Sequence, residues 1–399
     1  MDILILSTKN PYPPRDGGAI ATLNMALGLA KAGNTVTMLA MNTQKHYFEA
    51  GKIPRELRDH LRLVLVDADT SVHPAALLKN LVFSSEPYIA QRFNQPAFAE
   101  KLTELLVSEH FDVVQMEGPY LSAFLPLIRK HSEARVILRS HNIESEIWQR
   151  KSRNEKRLIE KIYFQHLSGR IRRLEKKLLK QVDVLVTISE RDLGKLRKMG
   201  YTGPAMTVPT GLNLEDYEMA APAIEHSIFF IGSLDWMPNQ EGLVWFIDEV
   251  IPYLEKTKTR YTFHVAGRNA PQELVEKLQH PHIVYHGEVE DARAFMQRYE
   301  VMAVPLLTGS GIRIKIIEGM AMGKAIVTSV VGAEGIAATD RKHLFIAGEP
   351  ETFAQDLILL LGNSRLREET AVEARNFIRG NFDTFTLSTR LTQFLTETL

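Results

Sequence analysis

The chain has 399 residues, of which 45% are hydrophobic and 24% charged, and its formal net charge is zero. This length predicts two or three domains, and the balanced charge gives no electrostatic indication of nucleic-acid binding. The absence of cysteine excludes disulfides, thiolate metal sites and a cysteine nucleophile, and it favours a reducing compartment. No signal sequence or long apolar run is recognisable, so we expect a cytoplasmic protein without a membrane span.

The first half opens with an apolar strand at 3–6, followed by a proline- and glycine-rich loop at 7–18. Apolar residues at helical spacing then predict an amphipathic helix, and Gly33 is its expected C-terminal cap. Further buried strands are predicted at 35–39, 63–66, 113–115, 136–138 and 184–188. Because helical patterns separate these strands, we expect parallel βαβ units.

The second half repeats this opening with a strand at 228–231, the loop GSLDWMPNQEG and a helix from about Leu243. Strands are predicted to follow at 262–266, 283–285, 301–304, 325–327 and 344–346. The intervening segment, 208–226, contains prolines and little apolar periodicity, so we place a linker there. The sequence therefore predicts two doubly wound α/β domains that face each other across a cleft.

The segment 305–323, PLLTGSGIRIKIIEGMAMG, is the most informative stretch of the chain. A buried strand leads into a glycine loop, which opens a helix carrying Arg313 and Lys315 in its first turn and Glu318 one turn later. Glycines permit close approach of backbone to a ligand, and a helix N-terminus with two cations suits a diphosphate. Since a carboxylate on the same helix can accept hydrogen bonds from sugar hydroxyls, this segment indicates a site for a nucleotide sugar.

Six segments together resemble glycosyltransferase family 4, the retaining sugar transferases with the GT-B fold. They are PYPPRDGGAIATL, SHNIE, VTISERD, VPTGLN, GSLDWMPNQEGLVWF and GSGIRIKIIEGMAMGKAIVTSVVGAEG. The resemblance covers nearly the whole chain and implies two Rossmann-like domains, an acceptor-side domain at 1–207 and a nucleotide-sugar domain at 208–382. It also implies that a C-terminal helix, about 383–399, packs back on the first domain.

The resemblance implies that the nucleotide sugar binds mainly to the second domain. Glu318 matches the second glutamate of the family's E-x7-E motif, which holds the ribose, whereas the first glutamate of that motif would fall at Ser310. Donor contacts are therefore expected from the loop amides of Gly309, Ser310 and Gly311.

A second departure concerns the family's Arg and Lys after the first strand of the second domain. The nearest positions here are Ser233 and Asn239, and the positive charge has moved to Arg313 and Lys315. Cations at these positions meet the same electrostatic demand, because the diphosphate gains charge as it leaves.

In the first domain, the resemblance assigns Gly17 and Gly18 to the glycine loop that approaches the donor phosphates or the acceptor. His141 matches the active-site histidine that contacts the transferred sugar, and Glu117 is a candidate for binding acceptor hydroxyls. In the implied retaining mechanism, the acceptor attacks the face from which the diphosphate leaves, and the leaving phosphate takes the acceptor proton. No cofactor and no metal are expected, and Asp67-Ala68-Asp69 and the histidines at 280, 282 and 286 are treated as chance resemblances to metal ligands.

The segment 150–180 carries twelve Lys or Arg and three Glu, with apolar residues at helical spacing. A basic amphipathic helix of this kind either contacts an anionic membrane surface or packs its apolar stripe against its own core, and we favour the second interpretation.

The sequence thus predicts a metal-independent glycosyltransferase that acts on a glycan or lipid-linked acceptor, in the synthesis of cell-surface polysaccharide. The alternatives are a nucleotide-sugar epimerase of the same fold and a non-catalytic protein that binds sugar nucleotides. We expect a cytoplasmic protein, with peripheral membrane contact through 150–180 as an open possibility.

Overall fold

The computed structural model describes residues 1–14, 17–155, 157–219, 224–309 and 312–398. Contacts within the chain divide it into two compact units. The first unit is Met1–Gly211 together with Thr384–Leu399, and the second is Leu212–Asp383.

The described residues of the first unit build a seven-stranded parallel sheet covered by helices. Its strands are β1 (Asp2–Ser7), β2 (Thr35–Thr43), β3 (Arg62–Ala68), β4 (Val113–Glu117), β5 (Arg135–Ser140), β6 (Val184–Thr187) and β7 (Ala205–Thr207). Its helices are α1 (Gly17–Lys31), α2 (Arg55–His60), α3 (Pro74–Phe83), α4 (Tyr88–Gln91), α5 (Pro96–Ser108), α6 (Leu125–His131), α7 (Glu144–Asn154), α8 (Leu158–Leu179) and α9 (Glu190–Lys198). The strand order β3-β2-β1-β4-β5-β6-β7 reverses between β1 and β4, the topological switch at which doubly wound sheets bind ligands.

The described residues of the second unit repeat this architecture with six parallel strands. The strands are β8 (Ile224–Ile231), β9 (Thr262–Ala266), β10 (Ile283–Gly287), β11 (Tyr299–Val304), β12 (Ala325–Thr328) and β13 (Phe345–Ile346). The helices are α10 (Met237–Trp245), α11 (Ile251–Lys256), α12 (Gln272–Lys277), α13 (Ala292–Gln297), α14 (Ile314–Ala321), α15 (Val330–Ala333), α16 (Pro350–Gly362) and α17 (Ser364–Asn381). The strand order β10-β9-β8-β11-β12-β13 reverses between β8 and β11.

Each sheet has an apolar layer on both faces, as expected for parallel strands covered by helices. In β1, Leu4 and Leu6 contribute to one core with α5 and α6, whereas Ile3 and Ile5 contribute to the opposite core. The last helix, α18 (Thr384–Thr398), belongs to the first unit and packs on α1. A side chain at Gly28 of α1 would place its Cβ 2.2 Å from Ser388 Oγ, so glycine is required for this close approach.

The predicted strands are confirmed, and so is Gly33, whose positive φ of 89° ends α1. The predicted helix start at Leu243 was wrong, because α10 begins at Met237. Pro238 caused the error: proline is favoured in the first turn of a helix, where its missing N–H has no intrahelical acceptor. The short edge strand β7 was not predicted.

The basic segment at 150–180 forms the end of one helix, α7, and the whole of the next, α8. Its apolar residues do not form one continuous stripe: Leu167, Ile171 and Leu178 are buried in the first unit, while Leu158 and Ile162 are exposed. Within the described residues, no helix combines the length and the apolar character needed to cross a bilayer.

Candidate active site

The first cluster of candidate residues lies at the carboxyl edge of the seven-stranded sheet. His141 directly follows β5, and Glu117 is the last residue of the neighbouring strand β4. The Nε2 atom of His141 is 2.6 Å from Oε2 of Glu117. Adjacent parallel strands end at the same edge, so the fold brings these two side chains together where doubly wound sheets bind ligands.

Glu117 is buried, and both of its carboxylate oxygens accept hydrogen bonds. Thr22 Oγ1 and Arg139 Nη1 donate to Oε2 at 2.9 and 3.0 Å, and Gln115 Nε2 donates to Oε1 at 2.6 Å. Burial acts to raise the pKa of Glu117, but the charges of Arg139 and His141 outweigh it and lower this pKa to about 2. The carboxylate therefore stays ionised and orients His141, whereas contact of Glu117 with an acceptor stays a prediction.

Gly17 and Gly18 are the first two residues of α1. The next turn of this helix carries Thr22, which binds Glu117, so the helix start lies near His141. Gly17 is exposed, and a Cβ at this position would meet no atom within 4 Å. Packing therefore does not require glycine at position 17.

The second cluster lies at the carboxyl edge of the six-stranded sheet, where Arg313 caps α14 and Lys315 stands in its first turn. Lys315 Nζ donates a hydrogen bond to Asn239 Oδ1 at 3.0 Å and lies 4.2 Å from the ring centroid of Phe230. Arg313 is buried, and its guanidinium carbon lies 5.8 Å from the ring centroid of Trp236. Two cations are thus held side by side in partly desolvated surroundings.

The loop after β8 fits closely around Lys315. A side chain at Gly232 would place its Cβ 2.4 Å from Lys315 Nζ, so the lysine occupies space that only glycine leaves open. Ser233 accepts hydrogen bonds from two side chains, from Asn239 Nδ2 to its carbonyl oxygen at 2.7 Å and from Arg268 Nε to its Oγ at 3.2 Å. The predicted donor residue Ser233 and the cation cluster therefore belong to one site.

Burial, and to a smaller extent the nearby charge of Arg313, lower the pKa of Lys315 to about 7, while Glu318 acts in the opposite direction. Burial also lowers the pKa of Arg313, although a guanidinium remains protonated at any physiological pH. A bound anion would offset both effects, and perturbed pKa values of this kind cluster at functional sites.

Gly309 has a φ of 117°, a left-handed conformation that favours glycine. Its Cβ position is 3.0 Å from Arg313 Nη2 and 3.3 Å from Cη2 of Trp236, so this backbone lies against the cation cluster. Ser310 and Gly311, the other two predicted loop residues, lie outside the described residues.

Glu318, one turn beyond Lys315, accepts a hydrogen bond from Tyr217 Oη at 2.9 Å on its Oε1 atom. Burial raises the pKa of Glu318, and the bond from Tyr217 opposes that shift. Tyr217 is in turn covered by Arg293, whose guanidinium carbon lies 4.4 Å from the tyrosine ring centroid. The hydrogen bonds of Glu318 give its Oε2 atom no partner in the described part of the chain.

Three residues that hold the predicted site residues in place were not predicted from the sequence: Arg139, Thr22 and Tyr217. An arginine inside an otherwise apolar strand, with a glutamate ending the neighbouring strand, was a usable signal for the Arg139–Glu117 ion pair. No comparable signal existed for Tyr217, because it reaches Glu318 across 101 residues of sequence.

Within the described ranges, no group of three or more His, Cys, Asp or Glu is placed to hold a metal ion. The three histidines considered in the sequence do not converge. His280 and His282 lie 3.9 and 3.8 Å from Glu255, whereas His286 Nε2 lies 3.1 Å from His264 Nδ1.

Two family models match the chain. The model described as Glycosyltransferase Family 4 matches residues 15–216, and the model described as Glycosyl transferases group 1 matches residues 225–363. A Klebsiella pneumoniae relative, an uncharacterized 44.6 kDa protein in a cps region, is 22% identical over 96% of both chains. The phosphatidyl-myo-inositol mannosyltransferase of Mycobacterium tuberculosis is 23% identical over 84% of this chain and 88% of its own length.

Solved structures share the fold. Sucrose-phosphate synthase from Thermosynechococcus elongatus superposes with a TM-score of 0.69 at 15% identity, covering 100% of this chain and 99% of the other. Anabaena Alr3699/HepE in complex with UDP superposes with a TM-score of 0.66 at 14% identity, covering both chains fully. With two doubly wound sheets and a family model that matches more than half of its length, the chain belongs to glycosyltransferase family 4 and has the GT-B fold.

Proposed function

We propose that this protein transfers a sugar from a nucleotide-diphosphate sugar to a hydroxyl of a glycan or glycolipid acceptor, with retention of anomeric configuration. The observation that carries the proposal is the pair of cations at the start of α14. Arg313 and Lys315 lie together at the carboxyl edge of a parallel sheet, beside a loop whose glycine leaves room for Lys315. A diphosphate matches two neighbouring, partly desolvated cations at the start of a helix.

In this proposal, Arg313 and Lys315 stabilise the charge that develops on the leaving diphosphate. The backbone of Gly309, Ser310 and Gly311, with Ser233, binds the phosphates and the donor sugar. Glu318 holds a ribose hydroxyl through Oε2, while Tyr217 occupies its other oxygen.

His141 contacts the transferred sugar, and Gly17 and Gly18 approach the phosphates or the acceptor. The acceptor hydroxyl attacks on the face from which the diphosphate leaves, and the departing phosphate oxygen takes the acceptor proton. This assignment needs neither a protein base nor a metal, and Glu117 serves by orienting His141.

Named relatives support a nucleotide-sugar donor and a surface-glycan role. One structural neighbour is described in complexes with UDP and with UDP-glucose, and several sequence relatives are phosphatidyl-myo-inositol mannosyltransferases. The full-length relative in a cps region supports a role in the synthesis of surface polysaccharide. The base and the sugar remain to be selected with a thermal-shift panel of nucleotide sugars, because a ligand that binds only the folded state raises its melting temperature.

The test is the variant Arg313→Ala, assayed for nucleoside diphosphate binding by calorimetry and for transfer with an acceptor panel. We expect both to fall by about a hundredfold or more, since a charge-assisted contact to the leaving group is lost. Arg260→Ala removes an exposed arginine of the same unit and should behave as wild type. Wild-type turnover by Arg313→Ala would refute the diphosphate assignment. A product formed without acceptor indicates an epimerase, and binding without turnover indicates a non-catalytic protein.

We also propose peripheral contact with anionic membranes through the start of α8. Leu158, Ile159 and Ile162 are 69%, 84% and 58% exposed, next to Arg157 and Lys161. Exposed apolar side chains flanked by cations favour insertion at an anionic surface.

Co-sedimentation with anionic and neutral liposomes tests this contact. Binding to anionic liposomes should fall when Leu158, Ile159 and Ile162 are all replaced by serine, and it should be unchanged in Val107→Ser, which alters an exposed valine of α5. Equal sedimentation with both lipids, or binding that survives the triple replacement, would remove the membrane proposal.

A further inference from the structure

An exposed tryptophan lies beside the cation cluster of α14. Trp236 directly precedes α10 and is 39% exposed. The backbone N–H groups of Asn239 and Gln240 donate to its carbonyl oxygen at 3.0 and 3.3 Å, so the start of α10 fixes its backbone. A single exposed aromatic side chain is common on protein surfaces, and its position relative to the site residues therefore decides whether it has a role.

The indole ring of Trp236 contacts two groups of the site. Its Cη2 atom lies 3.3 Å from the position of a Cβ at Gly309, and its ring centroid lies 5.8 Å from the guanidinium carbon of Arg313. Nη2 of Arg313 lies 3.0 Å from the same Cβ position. The ring, the guanidinium and the backbone of Gly309 thus meet at one point, and a larger residue at position 309 would crowd both side chains.

The charged residues of the second cluster follow one another along the start of α14. Arg313 caps the helix, Lys315 stands in its first turn and Glu318 lies one turn later. At about 1.5 Å of rise per residue, Arg313 and Glu318 are roughly 7–8 Å apart along the helix axis. Trp236 contacts the Arg313 end of this row, whereas Tyr217 donates to Glu318 at the other end. The indole and the carboxylate of Glu318 therefore lie at opposite ends of the cation cluster.

This order gives a direction to the bound ligand. In a nucleotide sugar, the ribose and the transferred sugar are attached to opposite ends of the diphosphate. With the ribose at Glu318 and the diphosphate at the two cations, the transferred sugar extends past Arg313 toward Trp236. The direction follows from the proposed function, on which the inference rests.

We propose that Trp236 is a stacking platform for the transferred sugar and determines specificity for a pyranose ring with an uninterrupted face of C–H groups. Such a face is apolar, and its hydrogens carry a partial positive charge that suits the negative face of an indole. Stacking removes apolar surface of both rings from water, while the sugar hydroxyls stay at the rim. A sugar with an axial hydroxyl on the stacked face loses this contact.

Calorimetry on the full chain tests the proposal with UDP-glucose, UDP-galactose, GDP-mannose and ADP-glucose, each beside its nucleoside diphosphate. For the pair that binds wild type, Trp236→Ala should raise the dissociation constant of the nucleotide sugar about tenfold and that of the nucleoside diphosphate less than about twofold. The reason is that only the sugar loses its partner. Equal weakening of both ligands, or no weakening of either, would overturn the proposal. A wild-type protein that binds a diphosphate but none of these nucleotide sugars would also overturn it, because each of these hexoses has a C–H face.

Two further variants separate stacking from apolar bulk. Trp236→Phe retains an aromatic face and should keep most of the affinity for the nucleotide sugar, whereas Trp236→Leu retains bulk without that face and should behave as Trp236→Ala. Met237→Ala, at the neighbouring position that is 63% exposed, is the matched control and should bind both ligands as wild type does. Wild-type affinity in Trp236→Leu would show that bulk is sufficient and would remove the stacking role.

Steady-state kinetics with an acceptor identifies which sugar contacts the ring. We expect Trp236→Ala to raise KM for the nucleotide sugar and to leave KM for the acceptor unchanged. A rise in the acceptor KM alone would place the acceptor on the ring and would contradict the proposal.

The two proposals fail differently. Absence of diphosphate binding by the wild-type protein would contradict the proposed function. Full affinity for the nucleotide sugar in Trp236→Ala, with binding lost in Arg313→Ala, would contradict the stacking role alone.

Discussion

The two clusters of candidate residues differ in the surroundings of their central charged groups, Glu117 in the first cluster and Lys315 in the second. Around His141, the buried carboxylate of Glu117 accepts hydrogen bonds on both oxygens and pairs with a fully buried arginine. At the start of α14, Lys315 has one hydrogen-bond acceptor among the described residues, the amide oxygen of Asn239, and its pKa is about 7. In the first cluster the charge of Glu117 is paired without a ligand, although Nε and Nη2 of Arg139 have no hydrogen-bond partner among the described residues. In the second cluster a bound anion would stabilise the protonated form of Lys315. We infer that the first cluster orients His141 and that the second cluster binds the anionic part of the ligand.

The largest expected effect concerns stability in the first cluster. Arg139→Leu leaves the buried carboxylate of Glu117 without its ion-pair partner and should lower the free energy of unfolding by about 3–5 kcal/mol, measured by urea denaturation. Adding Glu117→Gln removes the stranded charge and should recover part of this loss. Arg135→Leu, at the exposed start of the same strand, should change stability by less than about 0.5 kcal/mol. A loss below about 1 kcal/mol for Arg139→Leu would contradict the contrast between the clusters.

The second cluster should respond in the opposite manner. Lys315→Met keeps an apolar contact with Phe230 but removes the charge, so kcat/KM should fall about 10²–10³-fold while the free energy of unfolding changes by less than about 1 kcal/mol. Steady-state kinetics and urea denaturation measure the two quantities. Lys256→Met, an exposed lysine of α11, is the matched control. A strongly destabilised Lys315→Met protein would show that both clusters are structural.

The pH dependence of donor binding sharpens the same contrast. A nucleotide sugar keeps its diphosphate fully ionised near neutrality, so the titrating group is Lys315, with a pKa of about 7 in the free protein. Binding the anion favours protonated Lys315, and a proton is therefore taken up above pH 7. Affinity should decrease as pH rises from 7 to 9, by at most about tenfold per pH unit. Calorimetry in buffers of different ionisation enthalpy measures the uptake, and Lys315→Arg should abolish it.

The smallest expected effect concerns Tyr217, whose hydroxyl binds one oxygen of Glu318. Tyr217→Phe removes a single hydrogen bond, so the dissociation constant for the nucleoside diphosphate should rise about fivefold, equivalent to about 1 kcal/mol. The preference for ribose over 2′,3′-dideoxyribose should fall in parallel, because Glu318 loses its fixed orientation. Tyr253→Phe is the control. An unchanged ribose preference would show that Tyr217 does not act through Glu318.

The strands could be predicted because each is a short, almost continuous apolar run, as in β1 and β11, separated from the next by a helical pattern. The end of α1 could also be predicted, because Gly33 follows the helix in a left-handed conformation that favours glycine. The start of α10 was misplaced because Pro238 fits both a loop and the first turn of a helix. The candidate residues were found by their position after strands and by family resemblance, and their roles stay predictions.

The amino-acid sequence by itself determined the alternation of strands and helices, and with it two doubly wound sheets whose carboxyl edges carry His141 and Lys315. These features follow from local periodicity, which depends on neighbours only a few residues apart. Only the tertiary structure decided the partners, such as Tyr217 for Glu318 and Asn239 for Lys315, and which apolar residues of α8 are buried. The physical reason is that periodicity identifies the face of an element that is buried, whereas the surface that covers it comes from a distant part of the chain.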